Sequence, residues 1–243
     1  MPDWSFFWQP LVIAIFYIGG QCGILAAVSL GDVSVATPVA SSKVIIVSLF
    51  LMLLGVEAPS LTTWLSAILA TAGVLLINFV VPSADYRRVF MTVILALAGA
   101  SCFALFDISV QTWSPQWGTG RIVPVSYWMV GLLSLGLLPW VDRPRALLQK
   151  RLAWKSLCFG SLLVAIQAMF LVYAISWYGD AARINVVYSL RGLWGVLLAW
   201  LLADWFGGSE KNTPLSIMLA RLAGAILLVA AVLLTVWEMR QAV

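Results

Sequence analysis

The chain has 243 residues, 63% of them hydrophobic and 10% charged, with a net charge of +4 and no histidine. Soluble domains carry about 25% charged residues, so this composition excludes an ordinary soluble enzyme or a nucleic-acid binder. It points instead to an all-α polytopic membrane protein. The pI near 9.1 reflects arginine and lysine between apolar runs, where such residues set membrane orientation. Cys22, Cys102 and Cys158 each stand alone in an apolar segment, which argues against a disulfide framework or a metal cluster. Without histidine the commonest proton shuttle and metal ligand is missing. No convergent carboxylates or nucleophile–base pair appear, so neither catalysis nor a cofactor is expected.

A spanning helix needs about 20 apolar residues, and in chain order the sequence offers eight: about 10–30, 34–56, 61–81, 89–110, 122–141, 157–178, 184–206 and 214–237. The start, Met1 to Trp4, lacks the cationic region of a signal peptide, so the first apolar run reads as a retained helix. Breaks fall at Gly31-Asp32, Pro59-Ser60, Pro82-Ser83, a loop from Trp113 to Gly120, a charged loop over 142–155, Gly179-Asp180 and Gly207-Gly208. Trp4, Trp8, Trp64, Trp113, Trp117, Trp140, Trp154, Trp177, Trp205 and Trp237 gather near span ends, as an interfacial aromatic belt would. Gly19, Gly20 and Gly23, Ala96 and Ala100, Gly192 and Gly195, and Ala220 with Gly224 mark faces where helix backbones approach closely.

Two of the spans echo each other at an offset of 148 residues: Gly31 falls on Gly179, Asp32 on Asp180, Val39 on Val187, Ser41 on Ser189 and Lys43 on Arg191. Ala26 likewise falls on Ala174, and after a gap Glu57 parallels Glu210 and Ala72-Gly73 parallels Ala223-Gly224. The first three spans therefore correspond to the last three. Five spans separate each pair, an odd number, so the copies are inverted. Inverted repeats with a site near the midplane are the build of many secondary transporters. The division expected is a partial first repeat over 1–81 and a second repeat over 82–243.

Lys43 and Arg191 place a cation deep in each repeat-related span. A fixed charge there costs at least ~2.5–3.5 kcal/mol and is a functional candidate by default. The functional reading is a cavity holding a carboxylate or phosphate, with the arginine fork and the lysine point charge as contacts. The structural reading is an internal ion pair, for which Asp107 and Asp204 are the nearest acids. Tyr188 and Trp194 share a helix face with Arg191 and can stack on it. Gln21 and Gln167 lie mid-span; Ser41, Ser42 and Ser189 can bond a ligand or their own backbone. Pro38 should kink its helix, although its counterpart is Val186. Arg221, Glu57 and Glu210 read as snorkelling or helix-end charges.

The run Gly31 to Val39, its apolar helix, Glu57 and Gly73, repeated from Gly179-Asp180 through Glu210 to Gly224, resembles the signature of EamA-type members of the drug/metabolite transporter superfamily. That resemblance implies a five-plus-five carrier of small metabolites. Two helices would then be expected before residue 10, so the remaining surface would be covered by those helices or by a second copy. Counting loop cations, Arg87, Arg88, Arg143, Arg145, Lys150, Arg151, Lys155 and Lys211 face Arg121, Arg183 and Arg240, a bias of eight to three. The 142–155 loop is thus expected in the cytoplasm and both termini outside. The functional expectation is a multi-pass carrier in the cell membrane, moving an anionic or zwitterionic metabolite. A lipid-headgroup translocase and a non-transporting scaffold are the alternatives.

Overall fold

The computed structural model describes residues 4–31, 33–78, 86–140, 151–201 and 215–241. Its helices are α1 (Trp8–Leu30), α2 (Val33–Ala40), α3 (Lys43–Leu53), α4 (Leu61–Ile77), α5 (Tyr86–Trp117), α6 (Thr119–Leu135), α7 (Arg151–Tyr178), α8 (Ala181–Tyr188), α9 (Arg191–Leu201) and α10 (Leu215–Gln241). No strand occurs among the described residues. Five spans are long and apolar enough to cross a membrane: Trp8–Leu30, Val35–Leu53, Tyr86–Trp117, Trp154–Tyr178 and Ile217–Gln241. In lipid only helices or closed barrels satisfy every backbone group, which is why so apolar a chain folds this way.

Among the described residues helix is found in each of the eight expected ranges with changed limits, but only those five spans are long and apolar enough to cross a membrane. The loop expected from Trp113 to Gly120 is helical almost throughout; Gly118 alone separates α5 from α6, with φ of 76°. Pro115 and the tryptophans suggested a loop, yet a proline in a last turn leaves most of the helix ladder in place. Arg151 and Lys155 lie in α7, and not in a loop. The expected breaks at Asp32, Pro82-Ser83 and Gly207-Gly208, residues 141–150 of the charged loop, and Asp204 and Glu210, lie outside the described residues.

Two compact units form: Met1–Ile18 with Ser109–Gly179, and Gly19–Ile108 with Asp180–Val243. The segments that echo each other, α2–α3 and α8–α9, both belong to the second unit.

In the first unit the start of α1 is tied to the end of α5. Trp117 Nε1 donates to Gln9 Oε1 at 2.7 Å, and Gln9 Nε2 donates to Gln116 Oε1 at 3.3 Å. Phe7 meets Trp117, and Trp8 meets Trp113, edge to face. Trp117 is only 3% exposed, so it is a packing residue with a satisfied N–H and does not belong to an interfacial belt. Trp8, Trp154, Trp177 and Trp237 are exposed, as a belt requires. Helix α6 packs on α7, beside an apolar groove of about 440 Å³ lined by Pro124, Tyr127, Trp128, Leu132 and Met169.

In the second unit α4 packs along α10, and α3, α8 and α9 pack on α4. Val44, Ala67, Ala70, Val74, Ile77, Val186, Leu228 and Ala231 form the buried centre. Between apolar helices in lipid, close van der Waals contact replaces the hydrophobic drive, and small residues supply it. A Cβ on Gly23 would lie 2.7 Å from Gly99, and one on Gly224 would lie 2.5 Å from the Gly73 carbonyl. The expected small faces on α1, α5 and α10 are therefore real crossings. Gly192 and Gly195 show no such contact among the described residues: the nearest atom to a Cβ on Gly192 is 4.0 Å away, and Gly195 has none within 4 Å.

Candidate functional site

The two echoing segments are both interrupted, and at equivalent residues. Helix α2 ends and α3 begins 148 residues before α8 ends and α9 begins. Most of the backbone hydrogen bonds agree. Ser41 N donates to the Thr37 and Pro38 carbonyls, as Ser189 N donates to those of Asn185 and Val186. Ser42 N bonds Val39 and Val44 N bonds Ser41, as Leu190 N bonds Val187 and Gly192 N bonds Ser189. Each interruption is a short 3₁₀ turn, a form that often marks a hinge inside a helix. Pro38 is not its common cause, because the second copy has valine there. The shared residue is serine: Ser41 Oγ donates to the Thr37 carbonyl at 2.9 Å and Ser189 Oγ to the Val186 carbonyl at 2.5 Å. Such back-bonding bends helices, so both serine hydroxyls are spent on their own backbone. Ser42 does the same toward Val39 at 2.7 Å.

A cation stands directly after each turn. Lys43 opens α3, and its Nζ lies 2.6 Å from Asp107 Oδ2, with side chains 16% and 0% exposed. Asn185 of α8 donates its Nδ2 to the same oxygen at 2.6 Å and to the Ala181 carbonyl at 2.8 Å. Asp107 Oδ1 is buried with no hydrogen-bond partner among the described residues. One face of α5 carries the cluster: Gly99 admits α1, Phe103 packs on the bare face of Gly20, and Asp107 follows one turn later. The Lys43 ammonium stands 5.7 Å from the Phe103 ring centroid, a cation–π arrangement. Of the two readings open for Lys43, the ion pair with Asp107 is the arrangement present. From the sequence Asp107 is a candidate partner placed close to a helix end, because α5 is expected to end near residue 110; it runs to Trp117, which puts Asp107 ten residues inside. Asn185 carried no signal beyond its place in the echo.

Arg191 opens α9 in the equivalent position and is exposed. Its Nη1 donates to Tyr188 Oη at 2.8 Å, and its guanidinium carbon lies 4.5 Å over the Tyr188 ring. The expected stacking on Tyr188 is thus present, whereas Trp194 is exposed. Gln21 is partly buried in the second unit, and Gln167, also partly buried, belongs to the first. Lys43, Ser41, Arg191, Tyr188 and Ser189 fall in the second unit with Gln21.

A separate ionic cluster closes one end of that unit. Gly179, at φ of 66°, turns the chain into Asp180, which caps α8 by accepting from Arg183 N at 3.0 Å. Arg183 reaches Asp180 Oδ2 at 2.9 Å and Glu238 Oε1 at 3.0 Å. Glu238 also accepts from Ser60, the N-cap of α4, and from Thr63 Oγ1 at 3.3 Å. The start of α4, the start of α8 and the end of α10 are thereby joined. No group of three or more metal-ligating side chains occurs among the described residues.

No protein-family model and no curated protein matches the chain. A solved crystal structure, described simply as that of a protein, matches with a TM-score of 0.58 over 96% of this chain and 88% of its own, at 14% identity. At that identity the likeness shows a shared fold alone.

Proposed function

We propose that the chain is a multi-pass carrier of the cell membrane that moves a small anionic or zwitterionic metabolite by alternating access between inverted repeats. The observation that carries this reading is the pair of equivalent helix interruptions, each placed directly before a cation. Secondary transporters set their sites at such broken helices near the midplane, where freed backbone and fixed charge replace the solute's hydration. Lys43 and Arg191 are the proposed anion contacts, with Tyr188, Ser41, Ser189, Gln21 and Gln167 lining the path. The EamA-type resemblance, the eight-span count and covering of the open surface by a second copy or preceding helices belong to the same proposal. The antiparallel course of α4 and α10 supports the inversion. Ser60 and Thr63 at the start of α4 meet Glu238 near the end of α10, while Gly73 meets Gly224.

One observation favours a second reading. Lys43 is neutralised by Asp107, as in a non-transporting scaffold locked by an internal ion pair. Flux measurements on the reconstituted chain separate the two, since a scaffold moves no solute and loses nothing when Arg191 is neutralised.

A further inference from the structure

In one copy of the echo a carboxylate is already in place. Asp107 accepts at a single oxygen from Lys43 and from Asn185, at 2.6 Å each, and its side chain is fully buried. The two donors come from different helices, the cation from α3 and the neutral amide from α8. Their echoes are Arg191 of α9 and Thr37 of α2, again a cation and a neutral donor. Both echoes are exposed, whereas Asn185 is buried and Lys43 is mostly covered. The pair that grips a carboxylate in one copy is thus present in the other with no carboxylate on it among the described residues.

The described acids are already spent. Asp107 is taken by Lys43, Asp180 and Glu238 are taken by Arg183, and Glu57 is engaged as well. Arg191 is meanwhile held ready. The Tyr188 ring covers one face of its guanidinium and the Tyr188 hydroxyl accepts from Nη1, which fixes the plane of the fork. A guanidinium fixed in this way matches a planar carboxylate through two parallel hydrogen bonds. Val187, Trp194 and Leu198 are exposed on the same helix face, and an arginine among such neighbours in a membrane requires a partner.

Charge sets what that partner carries. Lys43 and Asp107 sum to zero, and Arg191 brings one positive charge against a neutral phenol. A monoanion balances it. A dianion would leave one negative charge and a zwitterion one positive charge, each uncompensated where an unpaired charge is costly.

We infer that Arg191, held by Tyr188 and joined by Thr37, is the seat of a monocarboxylate, the counterpart of the seat that Asp107 fills on Lys43 and Asn185. This deepens the carrier reading and rests on it. The carboxylate of the solute does in one copy what the Asp107 side chain does in the other, and Thr37 takes the part of Asn185.

The test uses the whole chain, one copy to each phosphatidylcholine disc so that no second copy supplies a carboxylate, with radiolabelled pyruvate at neutral pH. Pyruvate should bind once per chain. Malonate, a dianion, and alanine, a zwitterion, should bind more weakly by about tenfold or more, because each leaves a charge unbalanced. Arg191→Gln should weaken pyruvate binding by about tenfold or more, and Arg191→Lys should keep part of it, since the charge remains without the fork. Thr37→Val should weaken it about two- to tenfold, the range for one neutral hydrogen bond, and Thr37→Ser should restore it. Lys43→Met with Asp107→Leu should bind pyruvate as the wild type does, because the pair contributes no net charge. Loss of binding there would move the seat to Lys43 and overturn the inference. Should that double variant fail to fold, the Arg191 and Thr37 variants decide alone, because both side chains are exposed. A wild-type chain that binds no pyruvate, or binds malonate or alanine equally well, would overturn the seat. So would wild-type binding in Arg191→Gln or in Thr37→Val. Pyruvate bound as expected but never carried into vesicles would leave the seat standing and overturn the carrier reading. Pyruvate carried without these preferences would do the reverse.

Discussion

Gly73 and Gly224 lie against each other's helix backbone. A Cβ on Gly73 would meet the Gly224 carbonyl and Leu228, and one on Gly224 would meet the Gly73 carbonyl and Ile77. Each glycine faces the hydrogen-bonded turn that begins at its partner, an exchange that two antiparallel helices make at a local two-fold crossing. Neither residue can acquire even a methyl group unless the backbones separate. Gly224→Ala should therefore destabilise the protein by about 1–3 kcal/mol, the usual range for overpacking. Thermal unfolding in detergent measures it. The control is Gly195→Ala, which meets nothing within 4 Å among the described residues and should leave the midpoint unchanged.

The Lys43–Asp107 pair makes a sign-reversing prediction. Asp107→Leu alone strands a buried ammonium and should cost about 3–5 kcal/mol. Lys43→Met with Asp107→Leu removes both charges, and should restore stability to near wild type or above it. Unfolding midpoints of the two single variants and the double variant close a thermodynamic cycle. Additive losses would mean that the two side chains do not depend on one another.

Glu238 joins three helix ends through Arg183, Ser60 and Thr63. Glu238→Ala leaves the Arg183 guanidinium without one of its two carboxylates and should cost about 1.5–3 kcal/mol, the range for hydrogen bonds to charged groups. Asp180→Ala should cost about 1 kcal/mol, chiefly through loss of the α8 cap. A larger effect for Asp180 than for Glu238 in urea unfolding would reverse this ranking.

Apolar span lengths and small-residue faces made much of the helical framework legible in the sequence, since both follow directly from what lipid demands. The echo of Ser41-Lys43 in Ser189-Arg191 pairs the two cations, but the interruptions before them are not legible there: the spans read as continuous over 34–56 and 184–206, Pro38 offers a kink in the first copy alone, and a serine can bond a ligand as readily as its own backbone. The partner of Lys43 was harder to read. Tryptophans and Pro115 mimic a loop near the end of α5, and a helix thought to stop near residue 110 puts Asp107 at its edge. Only the unbroken ladder to Trp117 carries that acid to depth. Asn185 was invisible because a lone amide in an apolar helix has no periodic or spacing signal, and its role depends wholly on which helix faces it.

Orientation rests on loop charge and has a direct check. A cysteine at Gln149, in a chain with Cys22, Cys102 and Cys158 replaced, should resist impermeant thiol reagents in intact cells and react after permeabilisation. Cys22 and Cys158 are exposed, so the background must be removed first. Strong labelling of intact cells would invert the topology.

The central claim is that the cations behind the two helix interruptions carry an anion, and Arg191 tests it most directly because it is exposed and its replacement strands no buried charge. Initial rates of pyruvate and phosphate entry should be compared in vesicles holding the wild-type chain, Arg191→Gln and Arg191→Lys. The account predicts solute entry in the wild type, loss of at least most of it in Arg191→Gln with an unchanged unfolding midpoint, and partial recovery in Arg191→Lys. Wild-type rates in Arg191→Gln would contradict it.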